Sequence, residues 1–89
     1  MVITFDPVKR AKNLHDRQLD FLDAEIVLSG PGVHGREHSD RLRRATVGFL
    51  AGRMVMVGWT PRGEAVHVMS MRKCNDKEQA RYSKRFEEG

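Results

Sequence analysis

The sequence predicts an α+β domain: an antiparallel sheet, made of a short N-terminal strand and a three-stranded meander, with two N-terminal helices and one C-terminal helix. Three patterns support this fold class. Apolar residues recur at helical spacing in the first third of the chain, alternate with period two from residue 43 to residue 72, and are followed by a helix-capping motif. The 89 residues suit one domain, expected to span residues 1–89.

The N-terminal elements have clear start signals. Val2 to Phe5 alternates like a short edge strand, and Asp6 with Pro7 offers an N-cap followed by proline at the first helical position. We therefore expect a first helix over residues 7–14. Apolar residues at helical spacing predict a second helix over residues 21–28.

The meander is expected from three alternating runs, over residues 43–50, 53–60 and 64–72. Ala51-Gly52 and Pro61-Arg62-Gly63 separate these runs, and both are good hairpin connections.

The C-terminal helix is predicted over residues 76–86. Asn75 and Glu78 have the spacing of a capping box. The apolar stripe is little more than Tyr82 and Phe86, so this helix is expected to pack at the edge of the sheet and to remain largely solvated.

Three glycines form a literal G-x-G-x-x-G, the pattern of a phosphate-binding loop: Gly30, Gly32 and Gly35. A dinucleotide site also needs a helix opening at the third glycine and a βαβ frame. The following "REHSDRLRR" is polar all round, and the chain is too short for that fold. Residues 29–35 are therefore predicted to be loop, extended by polar residues as far as Asp40.

The sequence gives little support for a metal-binding, disulfide-bonded or membrane protein. His34 and His38 have zinc-ligand spacing on a helix, but the surrounding proline and glycines oppose a helix and no further ligand completes a set. Cys74 is the single cysteine and is best interpreted as a small residue filling a gap. With no leader pattern and no transmembrane-length apolar run, the expected location is the reducing cytoplasm, with no membrane association.

Charge is distributed unevenly along the chain. The formal net charge is +4 and the pI about 9.7. Residues 1–40 hold five Lys/Arg against seven Asp/Glu, whereas residues 41–89 hold eleven against five, giving −2 and +6. The second half is therefore expected to face any polyanionic partner.

The last strand ends in two basic residues. Because side chains alternate along a strand, one face is predicted to hold Val66, Val68, Ser70 and Arg72. The other face is predicted to hold His67, Met69, Met71 and Lys73. Further cations lie in the same half of the molecule, and we expect them to converge on one sheet edge: Arg43, Arg44, Arg53 and Arg62.

RNA strand scission is the chemistry that best uses such cations, since the substrate's own 2′-hydroxyl can attack the phosphodiester. Arg72 and Lys73 would stabilise the developing charge on the phosphate. His67 is the candidate proton shuttle, with Glu78 or Lys73 as alternatives. Trp59 is a candidate for stacking on an unpaired base.

Each of these residues also has a purely structural interpretation. Arg72 and Lys73 can be a solvated strand end, His67 a packed histidine, Glu78 the capping-box partner of Asn75, and Trp59 a core residue.

Four segments resemble the BrnT family of bacterial toxins, which are ribonucleases of type II toxin–antitoxin modules. The segments are "FDPVKRAKNL", "DFLDA", "GFLAGRMVMVGWTPRGEAVHVMSMRK" and "KEQARY", and the resemblance extends over essentially the whole chain. The late strand and the following helix carry the most specific match, at Ser70, Arg72, Lys73, Lys77, Glu78 and Tyr82.

The resemblance implies a fold similar to the RelE toxins, metal-independent RNA cleavage without a cofactor, and inhibition of translation. It also implies a cognate antitoxin, BrnA-like, which binds operator DNA and joins the toxin in a hetero-oligomer, so that DNA is contacted only through the antitoxin. The resemblance implies catalytic roles for Arg72 and Lys73, and the chemistry of proton transfer adds His67 and Glu78 as further candidates. The substrate-binding set comprises Arg43, Arg53, Arg62, Trp59 and Ser70, Arg43 being a position where the family commonly has arginine.

The chain departs from the family pattern at four places. The family often has Trp where this chain has Phe5, His-Gly at Arg17-Gln18, arginine at His67, and glutamate within Arg41-Leu42. The last two changes bear on proton transfer and charge, so the reaction class transfers more directly than individual roles.

Two main functional hypotheses follow. The first is an endoribonuclease toxin neutralised when an antitoxin segment covers its basic sheet edge. The alternative is a non-catalytic basic binding module that acts within an antitoxin–operator repressor complex. A small phosphate-ligand enzyme would rest on the glycine loop alone.

Overall fold

The computed structural model describes residues 1–34 and 43–88. Within them the helical elements are α1 (Pro7–Arg17), a 3-10 turn (Phe21–Asp23), α2 (Ala24–Ser29) and α3 (Asp76–Glu88). The strands are β1 (Val2–Phe5), β2 (Val33–His34), β3 (Arg44–Leu50), β4 (Arg53–Arg62) and β5 (Ala65–Lys73), in the sheet order β1-β5-β4-β3-β2. No helix in this part of the chain is both long and apolar enough to cross a membrane.

The α+β class, the N-terminal strand and the antiparallel meander β3-β4-β5 are confirmed. One detail of the sheet differs from the prediction, because β1 runs parallel to β5, with Phe5 opposite Val68. The sheet is therefore mixed. A parallel pair requires a long crossover, and here the chain from α1 through β4 provides it.

Helix α1 begins as expected and continues three residues further than predicted. The Asp6 carboxylate accepts a hydrogen bond of 2.8 Å from the backbone N–H of Val8, and Pro7 opens the helix. The helix ends at Gln18, which has a left-handed backbone (φ 59°) and donates its N–H to the Leu14 carbonyl. His15 and Arg17 favour the extra turn, because positive charge is favourable at a helix C-terminus.

The predicted second helix is a 3-10 turn followed by α2. The Asp20 carboxylate accepts from the N–H of Leu22 and caps the turn. Val27 of α2 packs closely on the sheet, since a Cβ added to Gly48 would lie 2.9 Å from its side chain. Residues 33 and 34 pair with β3, so the loop prediction was wrong there. Ser29 is the last residue of α2, and residues 30–32 lie in neither a helix nor a strand, as predicted. Residues 35–40 of the predicted loop, Gly35 included, lie outside the described residues.

Each sheet face carries its own hydrophobic cluster. The face covered by α1 and α2 buries Leu19, Phe21, Ala24, Val27, Val55, Val57, Val68 and Met71. The opposite face, covered by α3, buries Val47, Met54, Cys74 and Tyr82. Tyr82 is only 3% exposed, so α3 packs more firmly than its thin apolar stripe predicted.

An extra residue interrupts the regular alternation of β5. Gly58 pairs with Ser70 and Trp59 pairs with Val68, which leaves Met69 without a partner in β4. This β-bulge reverses the side-chain parity, so that Val68 and Met71 are both fully buried on the α1 side. The predicted grouping of Ser70 and Arg72 with Val66 and Val68 was therefore wrong.

The two hairpins differ in how well they were predicted. Ala51 and Gly52 have positive φ (51° and 78°), the backbone of a tight primed turn, and the connection is confirmed. Pro61 and Arg62 instead lie within β4, so the second turn is shorter than predicted and centres on Gly63 (φ 58°).

Replacing Gln18 by glycine is expected to stabilise the fold. A side chain in the left-handed region costs roughly 1 kcal/mol, which glycine avoids at a helix C-terminus. Gln18→Gly should raise the free energy of unfolding by up to about 1 kcal/mol in urea denaturation. Lys84→Gly, inside α3, should lower it by about as much, because glycine is a poor helix former there. Destabilisation by both variants would contradict the expectation.

Candidate functional site

A cleft of about 370 Å³ lies on the sheet face opposite α1 and α2, beyond the area that α3 covers. Among residues 1–34 and 43–88, its lining includes four basic side chains and no acidic one. The lining residues are Lys9, Arg43, Arg44, Ala45, Met56, Gly58, Met69, Ser70 and Arg72. Such a cleft concentrates positive potential and suits an anion such as a phosphodiester.

The floor of the cleft depends on Gly58. A Cβ at this position would lie 2.5 Å from the Ser70 hydroxyl oxygen. Any larger residue would force this hydroxyl to rotate away. Gly58 and the bulge at Met69 therefore place Ser70 in the floor of the cleft.

Helix α1 takes over the hydrogen bonding of the β5 edge where β1 ends. Asn13 accepts a long hydrogen bond (3.4 Å) from the N–H of Met71 and donates to the Leu19 carbonyl at 2.9 Å. This arrangement brings the side chain of Lys9 to the cleft. The sequence prediction missed Lys9, since no local pattern shows that α1 lies against the far end of β5.

Arg72 is held by a carboxylate of the same chain. Its two terminal nitrogens donate to the Glu78 oxygens at 2.6 and 2.7 Å, and one of them also lies 3.5 Å from the Met56 sulfur. Glu78 at the same time accepts from the Asn75 N–H, while Asn75 accepts from the Glu78 N–H, so the predicted capping box is confirmed. The pair thus ties the end of β5 to the start of α3.

This ion pair limits what Glu78 can do chemically. Mainly through the Arg72 hydrogen bonds, the pKa of Glu78 falls from 4.5 to about 2. A carboxylate with so low a pKa is a weak base near neutral pH, which disfavours Glu78 as a proton shuttle. The pKa of Arg72 is raised by the same bonds, so its guanidinium stays charged.

His67 lies on the same sheet face as the cleft but is not part of the cleft lining. Its Nδ1 is 2.8 Å from the Thr4 hydroxyl oxygen, across the parallel β1–β5 pair. Partial burial lowers the pKa of His67, and the positive charges of Arg62 and Lys9 lower it further. The imidazole is therefore mainly neutral at pH 7 and available as a base.

Lys73, Arg53 and Arg62 lie away from the cleft, so the expected convergence on one sheet edge was wrong for these three cations. Lys73 leaves β5 on the opposite face from Arg72 and, with Arg53, lines hollows beside the Ala51-Gly52 turn. Arg62 lies at the other end of β4, near His67. Of the cations that the sequence predicted to converge, the cleft therefore contains Arg43, Arg44 and Arg72.

Trp59 has a structural environment. It packs against the core cluster and donates its indole N–H to the Thr46 hydroxyl at 3.0 Å. The guanidinium carbon of Arg44 lies 5.8 Å from the centre of its ring, which is cation–π distance. This geometry indicates that Trp59 positions Arg44 and is less suited to stack on an RNA base.

Cys74 shows no catalytic arrangement, and the described residues show no cluster of metal ligands. Cys74 is 4% exposed, and burial raises the pKa of its thiol, consistent with a packing role. Among residues 1–34 and 43–88, no three potential ligand side chains cluster around a point. His38, the second histidine of the zinc-like pair, lies outside these ranges.

Removing the charge of Glu78 is expected to destabilise the protein without breaking the capping box, because glutamine also serves at that position. The Arg72 side chain is 39% exposed, so solvent weakens the pair, and Glu78→Gln should lower the free energy of unfolding at pH 7 by about 1 to 2 kcal/mol.

The same variant has a defined pH dependence. Because folding lowers the pKa of Glu78 from 4.5 to about 2, its stabilisation is complete above pH 4.5 and is lost as the pH falls towards 2. Urea denaturation at pH 7 and at pH 3 should show the two proteins converging in acid. Glu87→Gln serves as the control and should follow the wild type. An equal gap at both pH values would contradict the assigned pair.

Comparison with known proteins places this architecture in a family. A family model described as "Ribonuclease toxin, BrnT, of type II toxin-antitoxin system" matches residues 5–78. The crystal structure of the Brucella abortus ribonuclease toxin, BrnT, is similar, with a TM-score of 0.69 and 32% sequence identity over 85% of this chain and 99% of that chain. No curated protein matches. The chain therefore belongs to the BrnT family of ribonuclease toxins of type II toxin–antitoxin systems.

Proposed function

We propose that this protein is an endoribonuclease toxin that cleaves RNA by attack of the substrate's 2′-oxygen, needs no metal ion, and inhibits translation until an antitoxin binds it. The observation that carries the proposal is the cleft, whose described lining holds four basic side chains around Ser70 and no acidic side chain. A phosphodiester gains favourable contacts there, whereas a divalent cation would find no carboxylate ligand among the cleft residues that the structure describes.

In the proposed reaction the cleft holds the scissile phosphate and the substrate supplies the nucleophile. The 2′-oxygen bonds to phosphorus as the bond to the 5′-oxygen breaks, leaving a 2′,3′-cyclic phosphate and a 5′-hydroxyl. Arg43 and Lys9, which have no carboxylate partner among the described residues, neutralise the charge that develops on the phosphate. The Ser70 hydroxyl donates to a phosphate oxygen.

Arg72 has two roles in this proposal. Its bonds to Glu78 fix the guanidinium in the cleft wall, and its remaining exposed surface presents positive charge to the substrate. We propose that Glu78 positions Arg72 and takes no part in proton transfer. Lys73 lies on the other face, so it contacts RNA outside the scissile phosphate.

Proton transfer is assigned to His67. Its lowered pKa keeps the imidazole neutral at pH 7, as a base requires, and its hydrogen bond with Thr4 orients the ring. A proton reaches the leaving 5′-oxygen from water or from a cleft cation such as Lys9. Arg53 and Arg62 remain proposed as secondary RNA contacts, because both lie on exposed strand ends.

The proposed partner is an antitoxin that covers the cleft. Type II systems pair a toxin with a protein antitoxin, and this chain's family membership extends that expectation to it. We propose a BrnA-like, DNA-binding antitoxin, a hetero-oligomer in the cytoplasm, and contact with operator DNA through the antitoxin only.

One observation favours the alternative, a basic module that binds RNA or operator complexes without catalysis. Most N–H donors of Arg72 are engaged by the Glu78 carboxylate, the Lys73 backbone carbonyl and the Met56 sulfur. Fewer donors are therefore left to bind a transition state. Binding of RNA without cleavage would favour this alternative.

An RNA cleavage assay in the presence of EDTA distinguishes the metal-independent nuclease from the non-catalytic binding module. Purified protein incubated with RNA in excess EDTA should release fragments ending in a 2′,3′-cyclic phosphate, and Arg43→Gln should slow the cleavage roughly tenfold or more, since it removes a phosphate donor from the cleft. Lys84→Gln, an equal charge change on α3, should cleave at the wild-type rate. Inhibition by EDTA, or equal rates in Arg43→Gln and the control, would contradict the proposal.

The role of His67 predicts a pH profile. The neutral imidazole is the active form, so kcat/KM should fall as the pH drops below the pKa of His67, which lies under its usual value of 6.5. In His67→Asn this acidic limb should disappear together with most of the activity. An unchanged limb in the variant would assign the base elsewhere.

A further inference from the structure

The cleft does not end at Ser70. A second hollow shares Lys9, Met69 and Ser70 with it and extends along α1 past Lys12 and Arg17. A third hollow shares Arg17 with the second and Arg72 with the cleft, and it continues to Lys73. We name these two hollows together the α1 groove. The groove leads from the cleft, over the edge of β5, to the face on which Lys73 lies.

Three cations of the α1 groove make no ion pair within the described part of the fold. Lys9, Lys12 and Arg17 are exposed, and within the described ranges none of them has an ion-pair partner. On the same helix, Arg10 donates to both carboxylate oxygens of Asp20, at 2.8 and 2.9 Å, and so has a structural role. Arg10 is thus held by an ion pair, whereas the other three cations have no ion-pair partner among the described residues.

Among the described residues that line the α1 groove, one is acidic, and its position is compatible with an anionic ligand. Asp16 lies between the second and third hollows, where its carboxylate is 3.0 Å from Nδ1 of His15. Four basic residues face it along the groove, in addition to Arg72: Lys9, Lys12, Arg17 and Lys73. In each of the two hollows, the described lining residues therefore carry a net positive charge.

We propose that the α1 groove binds the backbone phosphates of the RNA strand that flanks the scissile nucleotide, with Lys12 and Arg17 as the phosphate-binding residues outside the cleft. This inference rests on the proposed function for the identity of its ligand. The groove turns from the sheet face over the β5 edge, and a flexible single strand follows that turn, whereas a stiff duplex does not. The substrate is therefore single-stranded RNA longer than the cleft itself.

A binding experiment tests the groove separately from catalysis. The probes are a fluorescent 2′-O-methyl RNA of about 12 nucleotides, which has no free 2′-hydroxyl to attack, and the matching dinucleotide. Lys12→Gln/Arg17→Gln is compared with Lys77→Gln/Lys84→Gln, which removes the same charge from α3 outside the groove. Lys12→Arg/Arg17→Lys keeps the charge and should bind like the wild type. Thermal unfolding confirms that each variant folds.

The groove predicts a loss that depends on RNA length. The double glutamine variant should bind the long RNA roughly tenfold or more weakly, and its log–log salt slope should fall by about 1.4, two contacts at about 0.7 each. Dinucleotide affinity should not change, because the cleft is intact. The α3 variant should lose much less affinity for the long RNA.

Three outcomes would overturn the proposal. If the groove and α3 variants lost equal affinity for the long RNA, binding would depend on the overall charge of the protein and not on the groove. An equal loss for the dinucleotide would place Lys12 and Arg17 in the cleft. Tighter binding of duplex DNA than of RNA, with the same dependence on Lys12 and Arg17, would assign the groove to DNA. Absence of RNA cleavage by the wild type would instead count against the proposed nuclease and leave the binding comparison valid.

Discussion

The bulge at Met69 is the constraint on which the geometry of the cleft depends. With regular alternation, Val68 and Met71 would point to opposite faces, yet both are fully buried against α1 and α2. The extra residue lets the apolar side chains on both sides of the bulge face the same core. It also turns Ser70 and Arg72 towards the cleft. Burial of apolar surface therefore sets the direction of the polar residues that follow.

The bulge lies where β1 stops and α1 begins to cover the β5 edge. Asn13 supplies the hydrogen bond that a neighbouring strand would otherwise make to Met71, and the same helix carries Lys9 to the cleft. The helix that completes the sheet edge thus also contributes to the basic surface. This dual use explains why the cleft and the α1 groove are continuous.

The Arg72–Glu78 pair links stability to the proposed chemistry. A bidentate pair fixes the guanidinium at low conformational cost, since a planar fork matches a carboxylate. The same bonds use donors that a phosphate would need. An arginine in this environment is better suited to hold one fixed position in the cleft wall than to move with the substrate.

The sequence by itself determined the local features of this protein. The Asp6 cap, the Asn75–Glu78 capping box, the Ala51-Gly52 turn and the strand-like alternation of the meander are encoded within a few residues, so they were predicted correctly. The tertiary structure decided the parity of β5, the parallel pairing of β1, the arrival of Lys9 and the dispersal of Lys73, Arg53 and Arg62. These features depend on how distant segments pack to bury apolar surface, and local spacing carries no information about that packing.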